Sequence, residues 1–149
     1  LIVSCLGSFT NQISDYPTSV LPVKGYSITL NPGKKQFSKS ITLADKRILF
    51  TRLGNKIRIT GFADFVGLSN YKEQNRLDLL LSLSKEIAPD LADYNSGQIK
   101  PWSGFRPLTP SGYPIIGPTS KTGLHINSGQ GFYGWTLACA SGKKLAEYF

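Results

Sequence analysis

Apolar and polar positions alternate over several short runs of this 149-residue chain, a pattern that predicts β-strands. The best-defined pair of runs covers residues 47–53 and 56–62. These runs flank Gly54-Asn55, a two-residue connection typical of tight β-hairpins. Within the second run Ile57 and Ile59 alternate with polar residues, so we expect one face of the hairpin to be apolar and the other solvated.

Further strands are predicted near both ends of the chain. Residues 1–5 are apolar almost throughout, which is typical of a strand buried on both faces. Residues 20–30 alternate and stop at Asn31-Pro32-Gly33, which has the composition of a turn. A short run at residues 124–127 predicts one more strand.

Helical spacing occurs in two places. Asn70 can cap a helix, with Glu73 in the capping-box position, and leucines then recur at helical spacing until Pro89. A last helix is predicted from Gly134 to Phe149, and its first turns carry little side-chain bulk. Strands and helices without regular β-α alternation predict an α+β fold whose sheet is largely antiparallel.

The composition is that of an ordinary globular protein, with 40% hydrophobic and 17% charged residues. The formal net charge is +8, and nine basic residues between Lys24 and Arg58, against Asp45 alone, account for the whole excess. This stretch has few aromatic residues and no known nucleic-acid-binding motif. We therefore expect a solvated basic face and no nucleic-acid partner. Attraction to a membrane surface or an acidic partner is the second interpretation.

Neither a disulfide nor a metal site is predicted. Cys5 and Cys139 are far apart and lie in apolar or small-residue contexts typical of buried free thiols. His125 is the only histidine and has no clustered partners, so we assign it no catalytic role. The chain begins at Leu1 and contains no methionine, and we expect it to be a piece of a longer translation product.

Two motifs carry the candidate chemistry. Arg106 lies between Gly104 and Pro107, in a segment with little freedom, and is suited to offering a fixed guanidinium fork to a carboxylate. Three glycines within residues 129–134 precede the last helix, where free amide donors and the helix dipole favour an anion. Taken singly, the arginine could be a surface side chain or a structural ion pair, and the glycines a plain turn.

Together, and in this order, the two motifs resemble the C-terminal part of the FAD-dependent D-amino-acid oxidase and glycine oxidase superfamily. The closer likeness is to the small subunits of bacterial D-amino-acid dehydrogenases. Matching segments lie at residues 1–9, 22–27, 57–67, 102–112, 114–117 and 127–142. The chain departs from the dehydrogenases at Gln130, Phe132-Tyr133 and Ala140, where they carry a histidine, a Thr-Leu pair and a glycine. It lacks the tyrosine that the oxidases place near Ile48, which favours the dehydrogenases.

The resemblance implies a two-domain flavoenzyme of the α+β class. Residues 1–12 would be the last strand of an FAD-binding domain. Residues 13–99 would be the substrate-binding domain with its largely antiparallel sheet. Residues 100–149 would return to the FAD-binding domain and supply its C-terminal helix. The N-terminal βαβ unit of that domain, with its glycine fingerprint, would lie before Leu1 and be absent from this chain.

The resemblance also implies the site residues. Arg106 would pair with the substrate carboxylate, and the backbone carbonyl of Phe132 would accept a hydrogen bond from the substrate amine. The residues expected to contact FAD are Gly7, Gly131, Phe132, Tyr133, Gly134, Trp135 and Thr136. The sheet that carries Tyr26, Ile48 and Phe62 would form a wall of the substrate cavity.

The activity implied is oxidative deamination of D-amino acids to 2-oxo acids and ammonia by hydride transfer to FAD, with this chain inactive by itself. Its partners would be the D-amino-acid substrate and the missing N-terminal FAD-binding half, in the cytoplasm. The resemblance leaves two further possibilities undecided. The enzyme could attach to the inner face of the plasma membrane, and its electron acceptor could be a quinone. The alternatives are a non-catalytic remnant or interaction module of a split flavoenzyme gene, and a relative of the glycine or sarcosine oxidases.

Overall fold

The computed structural model describes residues 1–12, 16–69 and 73–149 of the chain, which divides into two compact units. Unit 1 comprises Leu1–Val23, Phe65–Leu68 and Phe105–Phe149, and unit 2 comprises Lys24–Asp64 and Ser69–Gly104. The three-stranded sheet lies in unit 1. The five-stranded sheet belongs mainly to unit 2, but residues 21–23 and 105–108 of two of its strands belong to unit 1.

Strands predominate within the described residues. In chain order they are β1 (Ile2–Ser4), β2 (Leu21–Leu30), β3 (Ile41–Leu43), β4 (Ile48–Leu53), β5 (Lys56–Asp64), β6 (Lys100–Leu108), β7 (Ile115–Pro118) and β8 (Leu124–Ser128). The α-helices are α1 (Glu73–Ile87) and α2 (Gly134–Ala146), and short 3₁₀ helices cover Gly7–Gln12 and Gly131–Tyr133. This mixture of elements confirms the predicted α+β class.

Unit 2 is built on a five-stranded sheet in the order β3-β4-β5-β2-β6. The pairs β3 with β4, β4 with β5, and β5 with β2 are antiparallel, as predicted. The predicted hairpin is confirmed: Leu53 lies opposite Lys56, and Gly54 takes the positive φ of 59° that suits a tight turn. The apolar face is also confirmed, because Ile57 and Ile59 are buried.

The core of unit 2 joins this sheet to α1. Its buried members are Tyr26, Ile28, Leu30, Ile48, Phe50, Ile57, Ile59, Leu77, Leu80, Ala92 and Tyr94. The leucine spacing that predicted α1 is confirmed, because Leu77 and Leu80 are buried, whereas the predicted cap Asn70 lies outside the described residues. Tyr26 and Ile48, expected to face a substrate cavity, are core residues with 1% and 0% of their surface exposed.

Lys24 of β2 is fully buried, which is rare for a lysine. Its Nζ atom donates to a carboxylate oxygen of Glu73 and to the backbone oxygen of Ser69, both at 2.9 Å. The second oxygen of Glu73 accepts a 2.6 Å hydrogen bond from the Ser103 hydroxyl. The bonds from Ser103 and Lys24 hold the pKa of Glu73 below its ordinary value. Lys24 is therefore a structural charge, and its assignment to the solvated basic face is wrong.

A second ion pair joins β5 to α1. Arg76 donates from Nε and Nη2 to the two carboxylate oxygens of Asp64, at 2.7 and 2.5 Å. The hydroxyl of Tyr26 donates to the same carboxylate at 3.1 Å. The hydrogen bonds from Arg76 lower the pKa of Asp64. Burial first, and then the contact with Asp64, raise the pKa of Tyr26 to about 12, so its hydroxyl stays a donor at neutral pH.

Unit 1 is built on the three-stranded sheet β1-β8-β7, in which β1 runs parallel to β8 and β7 runs antiparallel to it. The predicted strands at the start of the chain and at residues 124–127 are thus confirmed. Leu1, Ile2 and Val3 are nevertheless 82%, 65% and 40% exposed. The prediction that this first strand is buried on both faces is wrong for the described structure, because β1 is an edge strand paired with β8.

Helix α2 begins at Gly134, as predicted, and ends at Ala146 rather than at Phe149. The ring of Phe149 packs against His125, with 4.8 Å between the ring centroids. Cys139 on α2 is exposed, as is Cys5. The prediction that both thiols are buried is therefore wrong, since an apolar local sequence does not decide what covers a residue.

Among the described residues, neither helix has the length and hydropathy that crossing a membrane requires. The same residues contain no group of three or more His, Cys, Asp or Glu side chains placed to hold a metal ion.

Leu80→Ala should lower the free energy of unfolding by about 2–5 kcal/mol, because it removes a side chain that is fully buried in the core of unit 2. Its neighbour on α1, Leu79, is 39% exposed, so Leu79→Ala is a matched control with a much smaller loss. Urea unfolding followed by circular dichroism measures both. Equal losses would contradict the assigned core.

Acid should destabilise unit 2 through Asp64 and Glu73, whose folded-state pKa values are both depressed. A depressed pKa contributes stability that is present above the unfolded-state value and lost as the pH falls through the folded-state value. The urea concentration at the unfolding midpoint should therefore decrease when the pH is lowered below about 5, because the carboxylates of the unfolded chain begin to protonate there. The double variant Asp64→Asn, Glu73→Gln should be less stable at pH 7, and its urea midpoint should depend less on pH. If the urea midpoint of this variant decreases as steeply in acid as that of the wild type, other carboxylates cause the acid destabilisation.

Candidate functional site

Strand β6 presents Arg106. Two residues earlier, the indole ring of Trp102 occupies the space beside Gly104, so a Cβ atom there would require this exposed ring to move. Pro107 follows and restricts the backbone on the other side. Arg106 is half-buried, and burial lowers the pKa of its guanidinium, which still stays charged at neutral pH. The segment therefore holds a charged fork on a strand rather than on a loop.

The glycine-rich loop connects β8 to α2. Gly129 and Gly131 have φ values of 87° and 58°, a conformation that other residues rarely adopt. The 3₁₀ turn Gly131–Tyr133, which leads into the helix, is closed by a 3.0 Å hydrogen bond from the Tyr133 amide to the backbone oxygen of Gln130. The side chain of Gln130 donates in turn to Asn127 at 2.5 Å. The loop is thus a constrained turn, not a free connection.

Three consecutive residues of β6 approach two segments that are distant in sequence, the glycine loop and the turn after β1. The Cζ atom of Arg106 lies 5.1 Å from the ring centroid of Phe132. A Cβ atom on Gly7 would lie 3.7 Å from Pro107, and one on Gly131 would lie 3.7 Å from Leu108. Unit 1 therefore brings the arginine, the first strand's end and the glycine loop together.

Gly7 is held by hydroxyl groups that the sequence motifs did not include. Its carbonyl oxygen accepts hydrogen bonds from Thr10 at 2.6 Å and from Ser128 at 3.0 Å, and Gly7 has a φ of 55°. Thr10 and Ser128 are buried, so these bonds are shielded from water. The signal available in the sequence was a run of small hydroxyl residues beside glycines, which is too common to be informative by itself.

The exposure and polarity of the residues that we expect to contact FAD are compatible with binding of that cofactor. Phe132, Tyr133 and Trp135 are 59%, 66% and 96% exposed, and Gly134 and Thr136 are exposed with them. At the start of α2, the N-cap residue Tyr133 makes no side-chain capping hydrogen bond. In the segment around Gly7, the hydroxyls of Ser4 and Ser8 are buried with no hydrogen-bond partner among the described residues. A polar ligand beside such groups would offset the cost of leaving them unpaired.

A family model described as FAD dependent oxidoreductase matches residues 1–148. The D-amino acid dehydrogenase of Granulibacter bethesdensis is 42% identical to this chain over an alignment of 151 positions, gaps included. The alignment covers 97% of this chain and 35% of that protein. The D-amino acid dehydrogenase of Vibrio cholerae is 36% identical over 150 residues, with the same two coverages. The chain therefore spans about a third of the length of the curated relatives it matches.

Among solved structures, the iminodiacetate oxidase of Chelativorans sp. BNC1 superimposes with a TM-score of 0.75 at 23% identity, covering 99% of this chain and 41% of that one. This similarity concerns the fold. The family model, in contrast, matches the sequence almost from end to end. The chain belongs to the FAD dependent oxidoreductase family.

Proposed function

We propose that this chain supplies the substrate-carboxylate site and part of the flavin site of an FAD-dependent D-amino-acid dehydrogenase, an enzyme that converts D-amino acids to 2-oxo acids and ammonia. The observation that carries the proposal is the approach of Arg106, Pro107 and Leu108 to Phe132, Gly7 and Gly131 in unit 1. The names of relatives that are 36% to 42% identical over nearly the whole chain support it.

Arg106 is the proposed anchor for the substrate carboxylate. A guanidinium can donate two parallel hydrogen bonds to a carboxylate, which fixes direction as well as distance. The backbone carbonyl of Phe132 is the proposed acceptor for the substrate amine. Two contacts on either side of the α-carbon would set the orientation of its C–H bond, and orientation is a large part of what a protein contributes to such a reaction.

When bound, FAD would accept the α-hydrogen as hydride together with its electron pair, so no side-chain base is needed to remove the α-hydrogen as a proton. The residues proposed to hold it are Gly7, Gly131, Phe132, Tyr133, Gly134, Trp135 and Thr136. The first-turn amides of α2 favour negative charge near Gly134, because the positive end of the helix dipole lies there. The exposed rings of Tyr133 and Trp135 offer apolar surface that can exclude water.

We propose residues 13–99 as the substrate-binding domain, and residues 1–12 with 100–149 as parts of the FAD-binding domain. The two compact units support a division of this kind. Since the chain spans 35% of the relatives' length, the complete enzyme would need a further polypeptide segment, and the chain by itself would be inactive. For the complete enzyme, the exposed basic residues of unit 2 would favour attachment to the anionic inner face of the plasma membrane. We propose a quinone dissolved in that membrane as the electron acceptor.

An oxidase is the less favoured activity. The similarity to iminodiacetate oxidase is at 23% identity and concerns the fold alone, whereas the D-amino acid dehydrogenases are the relatives matched at 36% identity or more. A non-catalytic remnant is the other alternative, and flavin binding separates it from an enzyme part.

Mixing the chain with a polypeptide that carries the remaining part of a relative's sequence should produce a complex with flavin absorbance and D-amino-acid-dependent dye reduction. Titration of FAD into the chain alone should leave the protein fluorescence of the chain unchanged. A complex that holds no flavin would contradict the proposed enzyme and favour the remnant. Tight stoichiometric FAD binding by the chain alone would contradict the need for a second segment.

In that complex, Arg106→Leu should lower kcat/KM by about 10- to 100-fold, because hydrogen bonds to a charged group are worth about 1.5–3 kcal/mol. The urea midpoint should change little, since the guanidinium acts on the substrate rather than on the core. Arg58→Leu, which removes an exposed arginine of β5, is the matched control. If both variants keep wild-type kcat/KM, Arg106 does not bind the carboxylate.

A further inference from the structure

We propose that the side chain of Phe132 is a positioning residue, which holds the Arg106 guanidinium in the direction required to receive a carboxylate. This inference rests on the proposed function and concerns the ring, whereas the role given to Phe132 above concerns its backbone carbonyl.

The contact has the geometry of a cation–π interaction. The guanidinium carbon of Arg106 lies 5.1 Å from the centroid of the Phe132 ring, within the range of about 6 Å over which the ring attracts a cation. Arg106 is half-buried, and partial removal from water strengthens such an attraction. The contact is therefore more than an accidental approach of two exposed side chains.

Both partners are attached to constrained backbone. Phe132 lies in the 3₁₀ turn Gly131–Tyr133, which begins at a glycine with positive φ and is closed by the hydrogen bond from the Tyr133 amide to the Gln130 oxygen. Arg106 lies on β6 immediately before Pro107. The turn thus fixes the backbone from which the ring of Phe132 extends toward the arginine.

Holding the guanidinium matters because an arginine side chain has many rotamers. Ordering a long side chain at the moment of ligand binding weakens that binding. A ring that restricts the guanidinium beforehand removes part of this cost. It also covers one side of the group against water, and water would weaken the pair formed with a carboxylate.

The side-chain role can be separated from the carbonyl role by substitution, since every variant keeps the backbone. Phe132→Leu removes the aromatic ring and keeps an apolar side chain, and Phe132→Tyr keeps the ring. Tyr113→Leu removes an aromatic side chain of unit 1 that is 77% exposed and serves as the control.

The first measurement is the Arg106 Nε–H resonance in the ¹⁵N-labelled protein. The ring current of Phe132 should displace it, Phe132→Leu should abolish the displacement, and Phe132→Tyr should keep it. The second measurement is KM and kcat of the active complex for a D-amino acid. Phe132→Leu should raise KM by about 3- to 30-fold, the range of a partly desolvated cation–π contact, and by more than kcat falls. Phe132→Tyr should restore KM to within about threefold, and Tyr113→Leu should resemble the wild type.

The inference is overturned if Phe132→Leu keeps the wild-type Arg106 resonance and KM, or if Phe132→Tyr is as impaired as Phe132→Leu. A wild-type complex that oxidises no D-amino acid would overturn the proposed function as well. An active wild-type complex with an unimpaired leucine variant would overturn this inference alone.

Discussion

The full burial of a lysine charge is the constraint on which the sheet of unit 2 depends. Lys24 has no surface in water, and an ionised amine can be buried only if acceptors replace the water it loses. Glu73 and the Ser69 carbonyl provide these acceptors, and Ser103 satisfies the second oxygen of Glu73. The network ties strand β2, the first residue of α1 and the edge strand β6 to one another. Removal of the Glu73 carboxylate would leave the Lys24 charge unpaired in a low-dielectric interior.

Unit 1 shows how one strand can organise a site from distant parts of a sequence. Arg106, Pro107 and Leu108 follow one another on β6. Arg106 and Leu108 lie beside Phe132 and Gly131 of the glycine loop, and Pro107 lies beside Gly7 in the turn after β1. A strand holds its side chains more rigidly than a loop does, which would suit the proposed pairing of Arg106 with a planar carboxylate. The glycines matter for the same reason, since positive φ values at Gly129 and Gly131 send the chain from β8 into α2 without a bulky residue at the bend.

Predictions that failed did so where a residue's neighbours come from distant sequence. The apolar run at the start of the chain correctly predicts β1, but burial on both faces requires a second neighbouring strand, and β1 lies at the sheet edge. Cys5 and Cys139 have local sequences typical of buried thiols and are exposed for the same kind of reason. Lys24 counts as one of nine basic residues in a stretch, and nothing within that stretch reveals that Glu73 lies opposite it.

By itself the sequence determined whatever depends on residues close together in the chain: the hairpin around Gly54, the leucine face of α1, the glycine turn into α2, and the α+β class that these elements imply. Periodicity and turn chemistry are local, so they can be read without a structure. Which side chains meet was decided only by the tertiary structure. The approach of Phe132 to Arg106 and the hydroxyl bonds from Thr10 and Ser128 to Gly7 need segments far apart in sequence to pack together, and no local pattern encodes that packing.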